Sequence, residues 1–238
     1  MTILLLTGCI NPDGMVYTAL QNVEVRKRQY IESINFYLKT TSLQIVFVEN
    51  SNTDISKYFS DTDKTRVEFI TFSGNDFDKT LGKGYGEMQI LFSAFNKSLK
   101  IRESQHVCKI TGRYQIQNIT RLLASYDKND AVIYGHVKEK FHFMDSRIFL
   151  AETDFFRQYL QPYMNIVNDS KGIYFEHCLC KATLTSMGDN HIFLPFKYLP
   201  RISGQSGTDG NYYKTSFLHW YPRNLIQRLK YILFKLDL

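Results

Sequence analysis

The sequence predicts an α/β fold in which helices flank a mostly parallel β-sheet. Short apolar runs typical of buried strands alternate with longer segments of helical periodicity, and such alternation is typical of βαβ units. The chain has 238 residues, of which 44% are hydrophobic and 22% are charged. We therefore expect one globular domain over residues 1–219, followed by a separate helical tail over residues 220–238.

Six apolar runs are the expected strands, and most of them end in polar or glycine-containing loops. They cover residues 3–6, 43–48, 67–72, 106–110, 131–136 and 141–144. Helical periodicity predicts helices over residues 23–39, 87–99 and 149–163 and around residues 122–123, whereas residues 172–181 suit either a strand or a helix. Residues 201–213 are rich in glycine and poor in apolar side chains, which predicts a mobile loop that closes as a lid.

The net charge is +6, which suits phosphate-bearing substrates, an anionic membrane surface or nucleic acid. The basic residues do not form one run outside the tail, and no nucleic-acid recognition motif occurs, so we expect no nucleic-acid partner. A nucleic-acid-binding protein is kept as an alternative function. Four scattered cysteines predict free thiols, and the first apolar run lacks a basic leader. These features predict a cytoplasmic protein.

Residues 81–86 form a glycine-rich turn that opens a helix. Alternating glycines let the backbone approach a ligand closely, and a helix N-terminus favours an anion. The spacing is neither that of the phosphate loop nor that of the dinucleotide fingerprint. We expect Lys83, Gly84, Tyr85 and Gly86 to lie near a nucleotide diphosphate or sugar. The alternative is a tight connection between a strand and a helix.

The order of these elements over residues 1–215 resembles a nucleotide-sugar glycosyltransferase of the GT-A fold. The resemblance implies a nucleotide-sugar donor and a glycan or lipid-linked acceptor, as in the synthesis of bacterial surface polysaccharides. It also implies that the loops after the first two strands contact the nucleotide. The residues concerned are Thr7, Gly8, Asn11, Glu49 and Asn50.

The sequence departs from that family where an Asp-x-Asp motif is expected, after the strand at residues 106–110. It has Thr111, Gly112, Arg113 and Tyr114 there. A Mg²⁺ or Mn²⁺ site needs carboxylates, so a divalent metal is not supported and we expect no cofactor. Some GT-A-like families lack the acidic motif. The resemblance to them implies a metal-independent enzyme in which Arg113 stabilises the leaving diphosphate. The alternative is that Arg113 forms a structural ion pair.

The resemblance implies an inverting reaction with one base late in the domain, and Glu176 occupies that position. His177 is the adjacent alternative, and a surface carboxylate is the plainer interpretation of Glu176. Asp145 follows an apolar strand and suits an acceptor site or a salt-bridged strand end. We expect the acceptor or lid residues to be Asp145, His177, Arg201, Ser206 and Lys214.

The tail carries an apolar stripe bordered by basic residues, with two aromatic residues at its start. Leu225, Leu229, Ile232 and Leu236 share one helical face, which Ile226 and Leu233 widen. This pattern predicts an amphipathic helix that lies on an anionic membrane surface at the inner face of the cell membrane. A helix that packs on the domain or on a partner is the alternative. A metal-dependent nucleotidyltransferase is a further alternative for the whole chain.

Overall fold

The computed structural model describes residues 1–15, 18–126, 131–213 and 216–236. Within them the strands are β1 (Thr2–Gly8), β2 (Ile45–Glu49), β3 (Val67–Thr71), β4 (His106–Thr111), β5 (Gln115–Ile116), β6 (Ile133–Gly135), β7 (Val137–Lys138), β8 (Phe143–Met144), β9 (Ile148–Glu152), β10 (Phe193–Pro195) and β11 (Ile202–Ser203). The α-helices are α1 (Val23–Thr40), α2 (Asp61–Arg66), α3 (Lys83–Lys97), α4 (Leu99–Arg102), α5 (Ile119–Ala124), α6 (Thr153–Phe155), α7 (Phe175–Gly188) and α8 (Phe217–Lys235).

Seven of these strands form one sheet in the order β10-β6-β9-β4-β1-β2-β3. Strand β1 is parallel to both β2 and β4, β2 is parallel to β3, and β6 is parallel to β10. Strand β9 lies antiparallel between β4 and β6. The predicted mostly parallel sheet is therefore confirmed.

The chain order reverses at β1, because β2 lies on one side of it and β4 on the other. The loops that follow these strands diverge in opposite directions and leave a crevice at the carboxyl edge of the sheet. Ligands of open α/β sheets bind in such a crevice.

Both faces of the sheet are buried, and each face packs in its own hydrophobic core. Alternate residues of β1 contribute to one core and to the other. Leu4 and Leu6 pack with Ile34 of α1 in one core. Ile3 and Leu5 belong to the other core, which α3 and α7 supply with Met88, Leu91, Phe175 and Leu179.

The predicted helix over residues 149–163 is wrong in its first part. Residues Ile148–Glu152 form β9, and the helical stretch starts with α6 and continues as a π-helix (Phe156–Leu160) and a 3₁₀-helix (Gln161–Ile166). A short apolar run suits a buried strand and a buried helix equally well. Phe149 and Ala151 are fully buried, and pairing with the strands on both sides decides the strand here.

The predicted glycine-rich turn is largely helical, because α3 begins at Lys83 rather than at residue 87. Gly82 has a φ of 85° and is the residue that caps the helix, a conformation that favours glycine. The amide of Gly84 donates to Oδ2 of Asp169 at 3.2 Å, which compensates for one of the free N–H groups of the first turn. Residues 172–181, for which the sequence suited either a strand or a helix, are helical from Phe175.

The predicted loop over residues 201–213 is partly regular. Strand β11 pairs antiparallel with β5, so that Ile202 lies opposite Ile116. The amide of Gln117 donates to the carbonyl of Arg201 at 2.9 Å.

Helix α8 packs on the domain through polar and aromatic side chains. Asn224 accepts a hydrogen bond from the amide of Leu199 at 3.0 Å, and the indole of Trp220 donates to the carbonyl of Leu199 at 2.9 Å. The predicted apolar stripe lies on the other side and is 39–61% exposed. Over the residues described, no helix is both long and apolar enough to cross a bilayer.

Gly112 should tolerate no side chain. A Cβ at this position would lie 2.6 Å from the carbonyl oxygen of Thr7, which is backbone and cannot rotate away. We expect Gly112→Ala to lower the free energy of unfolding in urea by about 1–3 kcal/mol, as overpacking does. Gly188→Ala is the matched control, because a Cβ there has open space within 4 Å. A Gly112→Ala protein as stable as the control would contradict this close approach.

Candidate functional site

A cavity of about 120 Å³ lies at the carboxyl ends of β1, β2 and β4, in the crevice where the chain order reverses. We call it the first cavity. Seven residues expected from the sequence to contact a donor or its diphosphate line it: Thr7, Gly8, Asn50, Lys83, Gly86, Thr111 and Arg113. Cys9, Pro12, Met15, Thr18, Arg26, Tyr30, Glu87, Ile90 and Gly207 complete the lining.

A buried ion pair forms one wall of the first cavity. The ammonium of Lys109, which is fully buried, contacts the carboxylate of Glu87 and donates to the carbonyl of Ser146 at 2.6 Å. Thr7 and Thr111 also donate to the same carboxylate oxygen of Glu87, at 3.1 and 3.4 Å. The side chain of Glu87 is 21% exposed and lines the cavity, so the pair connects the interior with the site.

Arg113 is buried at the end of β4, where the sequence predicted it. Its Nη1 donates to Oε1 of Gln29 at 3.1 Å and to the carbonyl of Gln205 at 3.0 Å. Within the described ranges no carboxylate lies within 4.0 Å of its guanidinium, so the predicted alternative of a structural ion pair is not found there. Its Nε is buried without a hydrogen-bond partner. The charge is thus fixed in place and not neutralised.

Residues 204–210 lie against the mouth of the first cavity. Lys83 donates to the hydroxyl of Thr208, and the amide of Ala19 donates to the carbonyl of Gly207 at 2.9 Å. A Cβ on Gly207 would lie 2.5 Å from Nη2 of Arg113, so glycine lets the segment approach the guanidinium. Ser206 is buried here and accepts from the amide of Thr208 at 3.3 Å.

Glu49, expected to contact a nucleotide, shapes the loops instead. It is fully buried and accepts hydrogen bonds from the amides of Ile10, Ser51 and Thr53 at 2.8–2.9 Å. It does not line the first cavity. Its carboxylate fixes the backbone that presents Gly8 and Asn50 to the cavity.

Five other expected donor-binding residues lie near the first cavity without lining it. Asn11 is exposed, and its amide donates to Ser51 at 2.9 Å. The other four are buried or packed: Gly84 against Asp169, Tyr85 against Phe77, Gly112 against Thr7, and Tyr114 against Tyr213.

Glu176 lies in the first turn of α7 and accepts a hydrogen bond from the hydroxyl of Ser146 at 2.7 Å. Burial raises the pKa of its carboxyl group. Ser146 also accepts from Lys109 through its carbonyl, so Glu176 is joined to the ion pair behind the first cavity. It lines neither the first cavity nor the second one described below.

The remaining expected residues are dispersed. His177 packs against Phe143, with ring centroids 5.7 Å apart, and the amide of Arg201 donates to Asn118 at 2.8 Å. Lys214 lies outside the described residues. Asp145 lies in a different cavity from the expected donor-binding residues.

That second cavity encloses about 260 Å³ at the ends of β6 and β10 and the start of β9. Asp145 accepts from Lys138 at 2.9 Å and from Nε of Arg147 at 2.8 Å. Burial alone would raise the pKa of Asp145, but the hydrogen bonds and charges of Arg147 and Lys138 hold it well below its usual range. The sequence alternative of a salt-bridged strand end is therefore what the structure contains at Asp145.

The residues around the first cavity do not fit a resident Mg²⁺ or Mn²⁺ ion. Such ions prefer several oxygen ligands with carboxylates among them. Glu87 is the one carboxylate among the lining residues, and it is engaged by Lys109, while Lys83 and Arg113 add positive charge. No cluster of three or more His, Cys, Asp or Glu side chains suited to a metal occurs in the described parts of the chain.

Comparison with known proteins gives weak structural similarities only. No family model and no curated protein matches the sequence. The galactosyltransferase LgtC with donor and acceptor sugar analogs is 9% identical, with a TM-score of 0.44 over 75% of this chain and 69% of LgtC. A Desulfovibrio desulfuricans protein described as a nucleotide-diphospho-sugar transferase is 10% identical, with a TM-score of 0.47 over 82% of this chain and 79% of its own.

A cytidylyltransferase from Leptospira borgpetersenii is similar to the same degree. It is 11% identical, with a TM-score of 0.45 over 91% of this chain and 82% of its own. With TM-scores below 0.5, none of these similarities assigns an activity to this chain.

Sequence reasoning missed the ion pair and the residues that shape the first loop. Lys109 stands in the middle of an apolar strand. Because a lysine is rarely fully buried without a partner, this position alone could have indicated a buried ion pair. Arg26 and Tyr30 looked like ordinary helix residues. In the structure Nε of Arg26 donates to the carbonyl of Cys9 at 2.8 Å, and the Tyr30 hydroxyl accepts from the Cys9 amide at 2.9 Å.

The ion pair makes Lys109 dependent on Glu87. We expect Glu87→Ala to lower the free energy of unfolding by about 3–5 kcal/mol, because it leaves a buried ammonium without its partner. Lys109→Met should cost less, because the carboxylate left behind is partly exposed and keeps two threonine donors. Urea denaturation of both variants and of the double variant measures the coupling. Additive effects of the two substitutions would show that the pair is energetically unimportant.

Proposed function

We propose that the protein is a glycosyltransferase that moves a sugar from a nucleotide-sugar donor to a glycan acceptor. The observation that carries the proposal is the uncompensated guanidinium of Arg113 in a cavity at the reversal of strand order. Guanidinium groups bind two phosphate oxygens at once, and a fixed cation stabilises charge that develops on a leaving diphosphate. Arg26 and Lys83 line the same cavity and add two further cations.

The buried, unpartnered atoms also support a polar ligand in the first cavity. Oδ1 of Asn50 and Nε of Arg113 have no hydrogen-bond partner, and both residues line the cavity. Buried polar groups are normally hydrogen-bonded, so a ligand that supplies partners would gain affinity. A nucleotide diphosphate offers acceptors for Arg113, and its ribose and base offer donors for Asn50.

We further propose a single displacement with inversion that needs no metal. The acceptor hydroxyl oxygen attacks the anomeric carbon while the bond from this carbon to the diphosphate oxygen breaks. Glu176 is the proposed base for the hydroxyl proton, and because it lines neither cavity, its carboxylate must come within hydrogen-bonding distance of the acceptor when the complex forms. Arg113 stabilises the departing diphosphate. Glu176 suits a base because burial raises the pKa of its carboxyl group and, among the described residues, only the Ser146 hydroxyl donates to it from a side chain, whereas Glu87 is engaged by Lys109 and two threonines.

The acceptor is proposed to be lipid-linked, with the protein at the cytoplasmic face of a bacterial membrane and its product a surface polysaccharide. The exposed stripe of α8 supports this location, since six large apolar side chains face outward on one helix. Arg223, Arg228 and Lys230 are exposed on the same helix, and such basic residues are attracted to anionic lipids.

The enzyme proposal predicts separate effects at two positions. Thermal shift with UDP-, GDP-, CMP- and dTDP-sugars identifies the donor, and transfer is then measured with it. We expect Arg113→Gln to lower kcat about 10²–10³-fold, as loss of one transition-state donor does. Glu176→Gln should lower kcat about 10²–10⁴-fold and leave donor binding intact. Arg102→Gln is the control, since Arg102 bonds to the carbonyl of Asn96 and does not line the first cavity.

Three results would contradict parts of this proposal. Absence of stabilisation by every nucleotide sugar would overturn the donor-binding assignment. Stabilisation and sugar transfer that require Mn²⁺ and disappear with chelator would overturn the metal-independent mechanism, and chelator-sensitive nucleotidyl transfer without sugar transfer would favour a nucleotidyltransferase. Full transfer by Glu176→Gln would exclude it as the base.

The membrane location predicts that charge on the stripe weakens lipid binding. We expect Leu229→Glu to reduce co-sedimentation with phosphatidylglycerol vesicles at least several-fold, because it places a carboxylate in an apolar contact and opposes the anionic surface. Leu184→Glu is the matched control, since Leu184 is 42% exposed on α7 rather than α8. Equal binding by the two variants would place the interface elsewhere.

A further inference from the structure

The second cavity has an excess of positive charge. Its charged lining consists of Lys138, Arg147 and Arg223 against the single carboxylate of Asp145. Asp145 is engaged by both Lys138 and Arg147, while Arg223 is exposed at the mouth. Two histidines, His136 and His219, add further nitrogen donors or acceptors, depending on their tautomers.

Two of these cations are held in fixed positions. Arg147 is bidentate to Asp145, with Nε and Nη2 at 2.8 and 2.5 Å from its two oxygens. The same guanidinium lies 5.1 Å from the centroid of the Tyr213 ring. Lys138 is 2.9 Å from Asp145, yet its side chain is 38% exposed. Side chains that are already ordered lose little entropy when they bind a ligand.

His136 reports the electrostatic character of the cavity. Burial, followed by the charge of Lys138, lowers the pKa of its imidazole to about 4. The other charges that face it are those of Asp145, which raises the pKa, and of Lys230 and Arg147, which lower it further. The imidazole is therefore neutral at pH 7, and an anion bound beside it would raise its pKa.

The two cavities lie along the same edge of the sheet. The first follows β1, β2 and β4, and the second follows β6 and β10. They adjoin where the amide of Thr111 donates to the carbonyl of Arg147 at 3.0 Å. A ligand in the second cavity would thus be next to the end of β4, which carries Arg113.

The mouth of the second cavity is formed by α8 and is amphipathic. Trp220 and Arg223 line the cavity, whereas Phe217, Leu218 and Tyr221 on the adjoining turns are 46–82% exposed. A cationic pocket beside an exposed apolar surface suits a molecule with an anionic group and an apolar chain.

We propose that the second cavity binds the phosphate or diphosphate group of a phosphate ester whose apolar chain lies along α8. If the proposed function holds, this ester is the lipid-linked acceptor, and its sugar points toward the first cavity. The binding of the phosphate group itself depends only on Lys138, Arg147 and Arg223. The same chemistry is also present in the head group of a membrane lipid, so the experiment separates the two sources.

Isothermal titration of the full chain with geranyl diphosphate tests the site. We expect Arg223→Gln to weaken binding about tenfold or more, because a hydrogen bond to a charged group is lost. Lys138→Gln should act in the same direction. Arg228→Gln is the matched control on α8, since Arg228 is exposed and does not line the second cavity. Arg113→Gln separates this site from the first cavity, which is also suited to a diphosphate.

Two outcomes would overturn the site. One is loss of geranyl diphosphate binding in Arg113→Gln with wild-type binding in Arg223→Gln and Lys138→Gln. The other is equal weakening by Arg223→Gln and Arg228→Gln, which would indicate general charge attraction. NMR titration of His136 gives an independent result. Its pKa should rise when geranyl diphosphate is present, and an unchanged pKa would place the ligand elsewhere.

Phosphatidylglycerol vesicles distinguish the source of the phosphate. If Arg223→Gln and Arg228→Gln weaken vesicle binding equally, while only Arg223→Gln weakens geranyl diphosphate binding, the ligand is a soluble or lipid-linked diphosphate. Vesicle binding that depends on Arg223 alone would assign the cavity to a membrane head group and overturn its role for an acceptor. Diphosphate binding without any nucleotide-sugar binding would refute the proposed function and retain the site.

Discussion

The buried contact between Lys109 and Glu87 organises the carboxyl edge of the sheet. It joins β4 to α3, and the surrounding hydrogen bonds from Thr7 and to Ser146 add β1 and the segment before β9. An ammonium removed from water is costly unless its partners are in place, so these four elements have little freedom to move independently. The walls of the first cavity are therefore held by the same interactions that stabilise the centre of the fold.

This constraint also explains how two cavities coexist on one edge. Thr111 belongs to the network through its hydroxyl, and its amide bonds to the carbonyl of Arg147. Arg147 in turn holds Asp145 in the second cavity. The end of β4 is thus a rigid partition between the two cavities, and a group bound on one side meets fixed charges from the other. Such preorganisation is what group transfer between two ligands requires.

Much of the fold follows from local sequence pattern, because buried parallel strands are continuous apolar runs with polar loops after them. Thr7, Asn50 and Thr111 were expected from the resemblance to GT-A enzymes, and the structure brings them to one edge because parallel strands bring their carboxyl ends together. The strand at Ile148–Glu152 could not be predicted, because a short apolar run leaves strand and helix undecided until its neighbours are known. Glu87 was missed because its partner Lys109 lies 22 residues further along the chain on β4, and the two meet only when α3 packs beside that strand.

The partners of three cations at this edge of the sheet, Lys109, Arg113 and Arg147, separate their roles. Lys109 faces Glu87, and Arg147 faces Asp145, so both carry a compensating carboxylate. Arg113 is held by an amide oxygen of Gln29 and the carbonyl of Gln205, which fix its direction without cancelling its charge. Neutral acceptors leave the field of a buried cation available to a ligand, and that field is strong where water is excluded. A cation held in this way offers a fixed positive charge to a ligand, which is why the chemistry proposed for the first cavity centres on Arg113.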